Sequence, residues 1–151
     1  MLAAQPGPPD PLVFQLLNEV GIISQLSAAL AARRMAPALN MSQFIVLNHF
    51  SRVGGERALV QLASAMQVTK PAMTNTIARL QDKGLVLVRP DPADGRGKLV
   101  RLSPAGLAAR QAAVAQLGQG LAALDGLATD AELQRALVVL RRLRQWFDQN
   151  R

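Results

Sequence analysis

Between Thr69 and Arg79 the chain carries side chains suited to reading a base-pair edge and gripping a phosphate. An asparagine offers adenine a donor and an acceptor side by side. An arginine offers guanine two parallel donors, and a threonine meets a hydrogen-bonding edge or a thymine methyl. Lys70 suits a phosphate or a guanine, and the hydroxyls of Thr69, Thr74 and Thr76 can bond phosphate oxygens. Spacing sorts these residues. Ala72, Met73, Ile77 and Leu80 recur at helical intervals and take the inward side. Lys70, Pro71, Thr74, Asn75 and Arg79 are then left outside. Any amphipathic helix has a polar face, so this one gains meaning only from what surrounds it.

A second charged group follows. Leu85 to Arg89 and Lys98 to Leu102 are short β-type runs, separated by Pro90-Asp91-Pro92-Ala93-Asp94-Gly95-Arg96-Gly97. Asp94-Gly95 is a strong turn signal, which predicts a two-stranded hairpin with a charged tip. Arg96 at such a tip can enter a minor groove, with Lys98 beside it. Asp94 is expected to accept the guanidinium donors of Arg96 and fix its direction.

These groups need a frame, and the rest of the chain supplies one. Residues 1–11 hold Pro6, Pro8, Pro9 and Pro11 and read as a flexible or extended lead-in. From about 12 to 35, Val13, Leu16, Leu17, Val20, Ile23, Leu26 and Leu30 predict one long amphipathic helix that Pro37 ends. Asn40 with Gln43 resembles a capping box opening a helix that carries Phe44, Leu47 and Phe50 inward, broken by Gly54-Gly55. A short helix over 59–66 leads through Gln67-Val68 to Thr69, the cap of the helix ending at Lys83-Gly84. After the hairpin, Ser103-Pro104 starts another helix, where Leu107, Val114, Leu117, Leu121 and Leu124 form one seam. Gly118 and Gly120 interrupt that seam or permit close helix approach. Thr129 and Glu132 box the start of the last helix, with Leu133, Leu137, Leu140, Leu143 and Phe147 on one face.

The order is helix, helix, short helix, tight turn, capped helix, hairpin, two long helices. This is a mainly α fold with a small β-hairpin wing: a winged helix-turn-helix over 40–102, with helical dimerisation segments at 12–36 and 103–151. In such a motif the second helix enters the major groove by its N-terminal end.

Charge placement agrees. The chain carries +7 overall, and residues 41–106 hold nine basic and four acidic side chains, a balance of +5. With 50% hydrophobic residues it is too apolar for a disordered chain. The absence of cysteine excludes disulfides and thiol redox sensing. One histidine leaves little material for a metal site, and no cofactor motif or catalytic constellation is present. No segment reaches the ~18 apolar residues a membrane span needs, and the N-terminus has no basic-then-apolar signal pattern. The expectation is a cytoplasmic protein with no membrane partner.

Leu62-Ala63, Arg79-Leu80-Gln81-Asp82-Lys83-Gly84-Leu85, the Asp94-Gly95-Arg96 tip and Leu102-Ser103-Pro104-Ala105-Gly106 together resemble the MarR family. Gln43-Phe44 and Leu47 also resemble that family's second helix. The resemblance covers roughly residues 12–150 and is most specific over 40–106. It implies a homodimer built from the first and last two helices, with a winged unit on each side. The apolar faces of those helices, which the small middle segment cannot cover, point the same way. The resemblance also implies release of DNA by a small anionic or aromatic effector, with His49 and Arg52 as candidate contacts. Three positions depart from the family pattern: Ala58 replaces a capping Ser or Thr, Gln67 replaces a turn Gly, and Gly95 replaces a second wing Arg. The function expected is a regulator, as repressor, that binds double-stranded DNA at pseudo-palindromic operators. A winged-helix protein-interaction module and a nonspecific architectural DNA binder are the other readings.

Overall fold

The protein, described here by a computed structural model over residues 9–150, forms each long helix the sequence predicts. The lead-in at positions 1–8 lies outside the described residues. Helix α1 spans Leu12–Met35. Asn40 opens α2 (Met41–Val53): its Oδ1 accepts from Gln43 N–H at 2.9 Å, and Gln43 Oε1 accepts from Asn40 N–H at 3.2 Å. Two orphan amides are thereby satisfied, and such a cap contributes about 1 kcal/mol. Gly54 and Gly55, at φ +63° and +68°, turn the chain in a region only glycine enters freely.

A strand follows that the sequence did not announce, β1 (Glu56–Ala58). Helix α3 (Leu59–Ala65) begins at Ala58, which has no capping side chain; Gln61 Oε1 accepts the Ala58 amide at 3.0 Å. Gln67 takes φ +52° in the turn, the conformation a glycine there would adopt easily, and its Nε2 donates to the Ser64 carbonyl at 2.9 Å. Thr69 then caps α4 (Lys70–Asp82), its Oγ1 accepting from Ala72 N–H at 3.3 Å.

Strands β2 (Val86–Asp91) and β3 (Asp94–Leu102) form the wing, and β1 adds to the other edge of β3 in the order β1-β3-β2. The wing turn is not where the Asp94-Gly95 pair predicts. Asp91 pairs with Asp94, so the chain reverses over Pro92-Ala93. Proline presets the backbone angle of a turn's second residue. Asp91 Oδ1 accepts the Ala93 amide at 2.9 Å and stabilises the reversal. Asp94-Gly95 instead lies on β3 beside an irregularity in the ladder at Pro90/Asp91.

Helix α5 runs over Pro104–Leu121, ending before Leu124; a short 3-10 turn (Ala122–Leu124) interrupts the seam. Helix α6 spans Asp130–Gln149, started by the Thr129–Glu132 capping box.

The core gathers Val46, Leu47 and Phe50 of α2, Leu62 of α3, Met73, Ile77 and Leu80 of α4, and Val86 and Val100 of the sheet. Met35 and Leu39 extend it to the C-terminal end of α1 and the residues after it, and Ala113 to the middle of α5. Ala72, expected inward, is exposed. Elsewhere the apolar faces are uncovered: Leu26 is 74% and Trp146 58% exposed, and no described residue of α6 is buried. By length and average apolarity alone α1 reaches what a membrane span needs, with a window of mean hydropathy 1.3. This corrects the expectation that no segment qualifies: Asn18, Glu19, Ser24 and Gln25 interrupt the apolar residues of α1, but its average apolarity stays high.

Candidate nucleic-acid interface

All of Thr69, Lys70, Pro71, Thr74, Asn75 and Arg79 are exposed. At 3.6 residues per turn, Pro71, Asn75 and Ala78 fall within roughly 60° of each other on α4. That ridge lies opposite the buried Met73, Ile77 and Leu80. Lys70 and Thr74 sit to one side of the ridge and line a cleft of about 160 Å³ between α4 and the wing. Arg96 and Lys98 line the same cleft from β3. The structure thus brings two cations of the wing to the N-terminal half of α4. Arg79 lies apart, on a groove shared with Pro37, Asn40 and Asp82.

Two hydroxyls are committed within the helix. Thr74 Oγ1 donates to the Lys70 carbonyl at 2.8 Å, and Thr76 Oγ1 to the Ala72 carbonyl at 3.1 Å. Towards a ligand, each hydroxyl therefore offers lone pairs.

Asp94 orients the wing through the backbone. Its Oδ1 accepts the amide of Arg96 at 3.0 Å; among the described residues it makes no hydrogen bond with the guanidinium. Gly97 fits between the two wing carboxylates, since a Cβ there would stand 3.0 Å from Asp94 Cβ and 3.1 Å from Asp91 Cβ.

A clamp at the wing root is not legible in the sequence. Arg89 Nε and Nη2 donate to Glu56 Oε1 and Oε2 at 3.0 and 2.6 Å, and Arg101 Nε lies 4.0 Å from the same carboxylate. The hydrogen bond from Arg89 holds the Glu56 carboxyl below its ordinary value, and the charges of Arg89 and Arg101 act in the same direction. These groups are well exposed to solvent, so their part is to fix direction more than to add stability. The signal for this pair is the register of β1, where Glu56 stands opposite Arg101.

His49 lines a separate groove of about 490 Å³ with Val53, Arg57 and Gln61, between α2 and α3. Arg52 stands one turn on, its Nη2 3.4 Å from His49 Nδ1, and does not line that groove. The two candidate effector contacts are therefore adjacent but face different surroundings. Among the described residues no cluster of metal-ligating side chains occurs.

A family model described as MarR family matches residues 39–97, which span α2 through most of the wing. An uncharacterized HTH-type transcriptional regulator of Mycobacterium bovis is 35% identical over 127 residues, covering 77% of this chain and 87% of the relative. Among solved structures, a mutant of MarR from E. coli complexed with operator DNA is 27% identical with a TM-score of 0.65, covering 89% of this chain and 99% of that one. BpsR of Bordetella bronchiseptica, whose DNA binding is regulated by 6-hydroxynicotinic acid, is 27% identical with a TM-score of 0.66, covering 86% and 98%.

Proposed function

The chain belongs to the MarR family of DNA-binding transcriptional regulators, and from that premise we propose that it is a homodimeric repressor of pseudo-palindromic operators. Its relatives are regulators and not enzymes. The observation that carries the reading is the convergence of Lys70 and Thr74 with Arg96 and Lys98 on one cleft, beside the exposed ridge of Asn75. Helix α4 supplies base contacts, and the wing supplies charge. Dimerisation is supported by α1, α5 and α6, which among the described residues leave large apolar side chains such as Leu26, Leu121 and Trp146 exposed. Two recognition helices then meet successive major grooves about 34–36 Å apart. A small anionic or aromatic effector releases the DNA, in keeping with the regulation of BpsR by 6-hydroxynicotinic acid. His49 and Arg52 are its proposed contacts.

Selection of bound fragments from random DNA, paired with sedimentation of the free protein, tests this reading. The expected result is a dimer that enriches an inverted repeat with half-site centres about one helical turn apart. A monomer, or an unenriched pool, overturns it.

Arg96→Ala separates the two kinds of contact. Because a wing cation acts mainly through phosphates, the variant weakens binding to operator and random DNA by a similar factor. The slope of log affinity against log salt falls by about one per protomer. Titrations at several salt concentrations read both quantities, and an unchanged slope removes Arg96 from the interface.

A further inference from the structure

We propose that Arg110 is a positioning residue that fixes the angle of the winged unit against the helical arm and so sets the half-site spacing the dimer accepts. The proposal rests on the two-half-site reading above.

Helix α5 leaves the wing at Ser103 and continues unbroken to Leu121. From Gly106 to its end it extends about 22 Å, at 1.5 Å per residue. Its first turn is pinned to the winged unit, with Ser103 Oγ donating to the Gly84 carbonyl at 2.7 Å and accepting from Gly106 N–H at 2.9 Å. One turn on, Arg110 Nε and Nη2 both donate to Asn48 Oδ1, at 3.1 and 2.9 Å. Asn48 belongs to α2, whose Val46, Leu47 and Phe50 sit in the core. Arg110 is the single charged residue of α5. It is half-buried, and its charge is spent on this one amide oxygen.

Beyond that bond the arm meets the rest of the chain mostly through alanines, with Leu117 as its one large apolar side chain packed against the core. Ala109, Ala112 and Ala113 face Met35 and Leu39 around a gap of about 240 Å³. Alanine surfaces beside a gap offer little interdigitation to resist rotation, since close packing is what locks an angle. The first turn of α5 is therefore a pivot, and the two-pronged bond of Arg110 is the stop. The lever is long enough to matter: a swing of about 10° moves its far end roughly 4 Å, close to the ~3.4 Å rise of one base pair.

The test rebuilds the selected operator with its centre shortened or lengthened by one or two base pairs and measures affinity of the full-length protein for each. A duplex with one half-site serves as reference. Wild type is expected to lose about tenfold or more per added or removed base pair, the size of a costly mismatch. Arg110→Met, which keeps the stem and removes the fork, and Asn48→Ala are each expected to lose less than about threefold across the series. Half-site affinity stays at the wild-type level in both. Asn48→Asp retains the acceptor and keeps the wild-type profile. A wild-type profile in Arg110→Met overturns the proposal, as does loss of half-site affinity in both variants. If wild type itself shows no spacing preference, the two-half-site reading falls and takes the proposal with it. That failure is visible in the wild-type series alone.

Discussion

Gly106→Ala lowers the stability of the protein by about 3 kcal/mol or more, the upper end of what overpacking costs. A Cβ at Gly106 would fall on the Leu85 carbonyl oxygen and stand 2.9 Å from Leu102 Cδ1. The methyl of Leu102 can shift, but the carbonyl cannot. Leu85 N–H donates to the Leu80 carbonyl at 2.9 Å, and the Leu85 carbonyl accepts from Ser103 N–H at 3.2 Å. Relief therefore requires α5 to slide, which breaks the Ser103 cap and pulls Arg110 from Asn48. For a chain of 151 residues that loss lowers the melting midpoint by about 10 °C. Gly118→Ala is the control. A Cβ there meets nothing within 4 Å, and alanine favours the helix by up to about 1 kcal/mol over glycine. Thermal unfolding of the pair decides the matter: equal midpoints in the two variants would mean that α5 does not press on the wing at Gly106.

Gly106 also shows what kind of information the sequence carries. It stood in a family-like run, Leu102 to Gly106, whose physical reason appears only when α5 is seen against the Gly84–Leu85 corner. The features legible in the sequence are local. Asn40 with Gln43, Thr129 with Glu132, and Ser103 before Pro104 are caps formed within four residues, so their spacing is enough. The features missed depend on distant partners. Glu56-Arg57-Ala58 has no alternating pattern and becomes a strand only because the edge of β3 is open to it. The Glu56–Arg89 clamp follows from that strand and was invisible without it. The wing turn was misplaced because Asp94-Gly95 and Asp91-Pro92-Ala93-Asp94 both encode reversals. The register of β2 against β3 selects the second. The α4 face was read nearly whole, with Ala72 the exception on its inward side.

Asn75→Ala carries the second large effect, and its signature differs in kind from that of the wing. Asn75 stands on the outer ridge of α4 between Pro71 and Ala78, both short, so its amide projects beyond its neighbours on that ridge. Among the described residues no hydrogen bond engages that amide. A paired contact of this type is worth about 1–3 kcal/mol of discrimination for one base pair. The proposed dimer would make it twice, so operator affinity falls by about 2–6 kcal/mol, or roughly thirtyfold to twenty-thousandfold. Random DNA offers the amide no regular partner, so nonspecific affinity and the salt slope stay where they were. The Arg96→Ala variant should do the reverse, lowering both affinities together. Repeating the selection with Asn75→Ala makes the distinction at the level of sequence. One position in each half-site loses its preference while the others persist, because Lys70, Pro71 and Thr74 keep their places on the helix. Recovery of the wild-type motif, with every position intact, would mean that Asn75 reads no base and that the preference comes from the shape of the DNA.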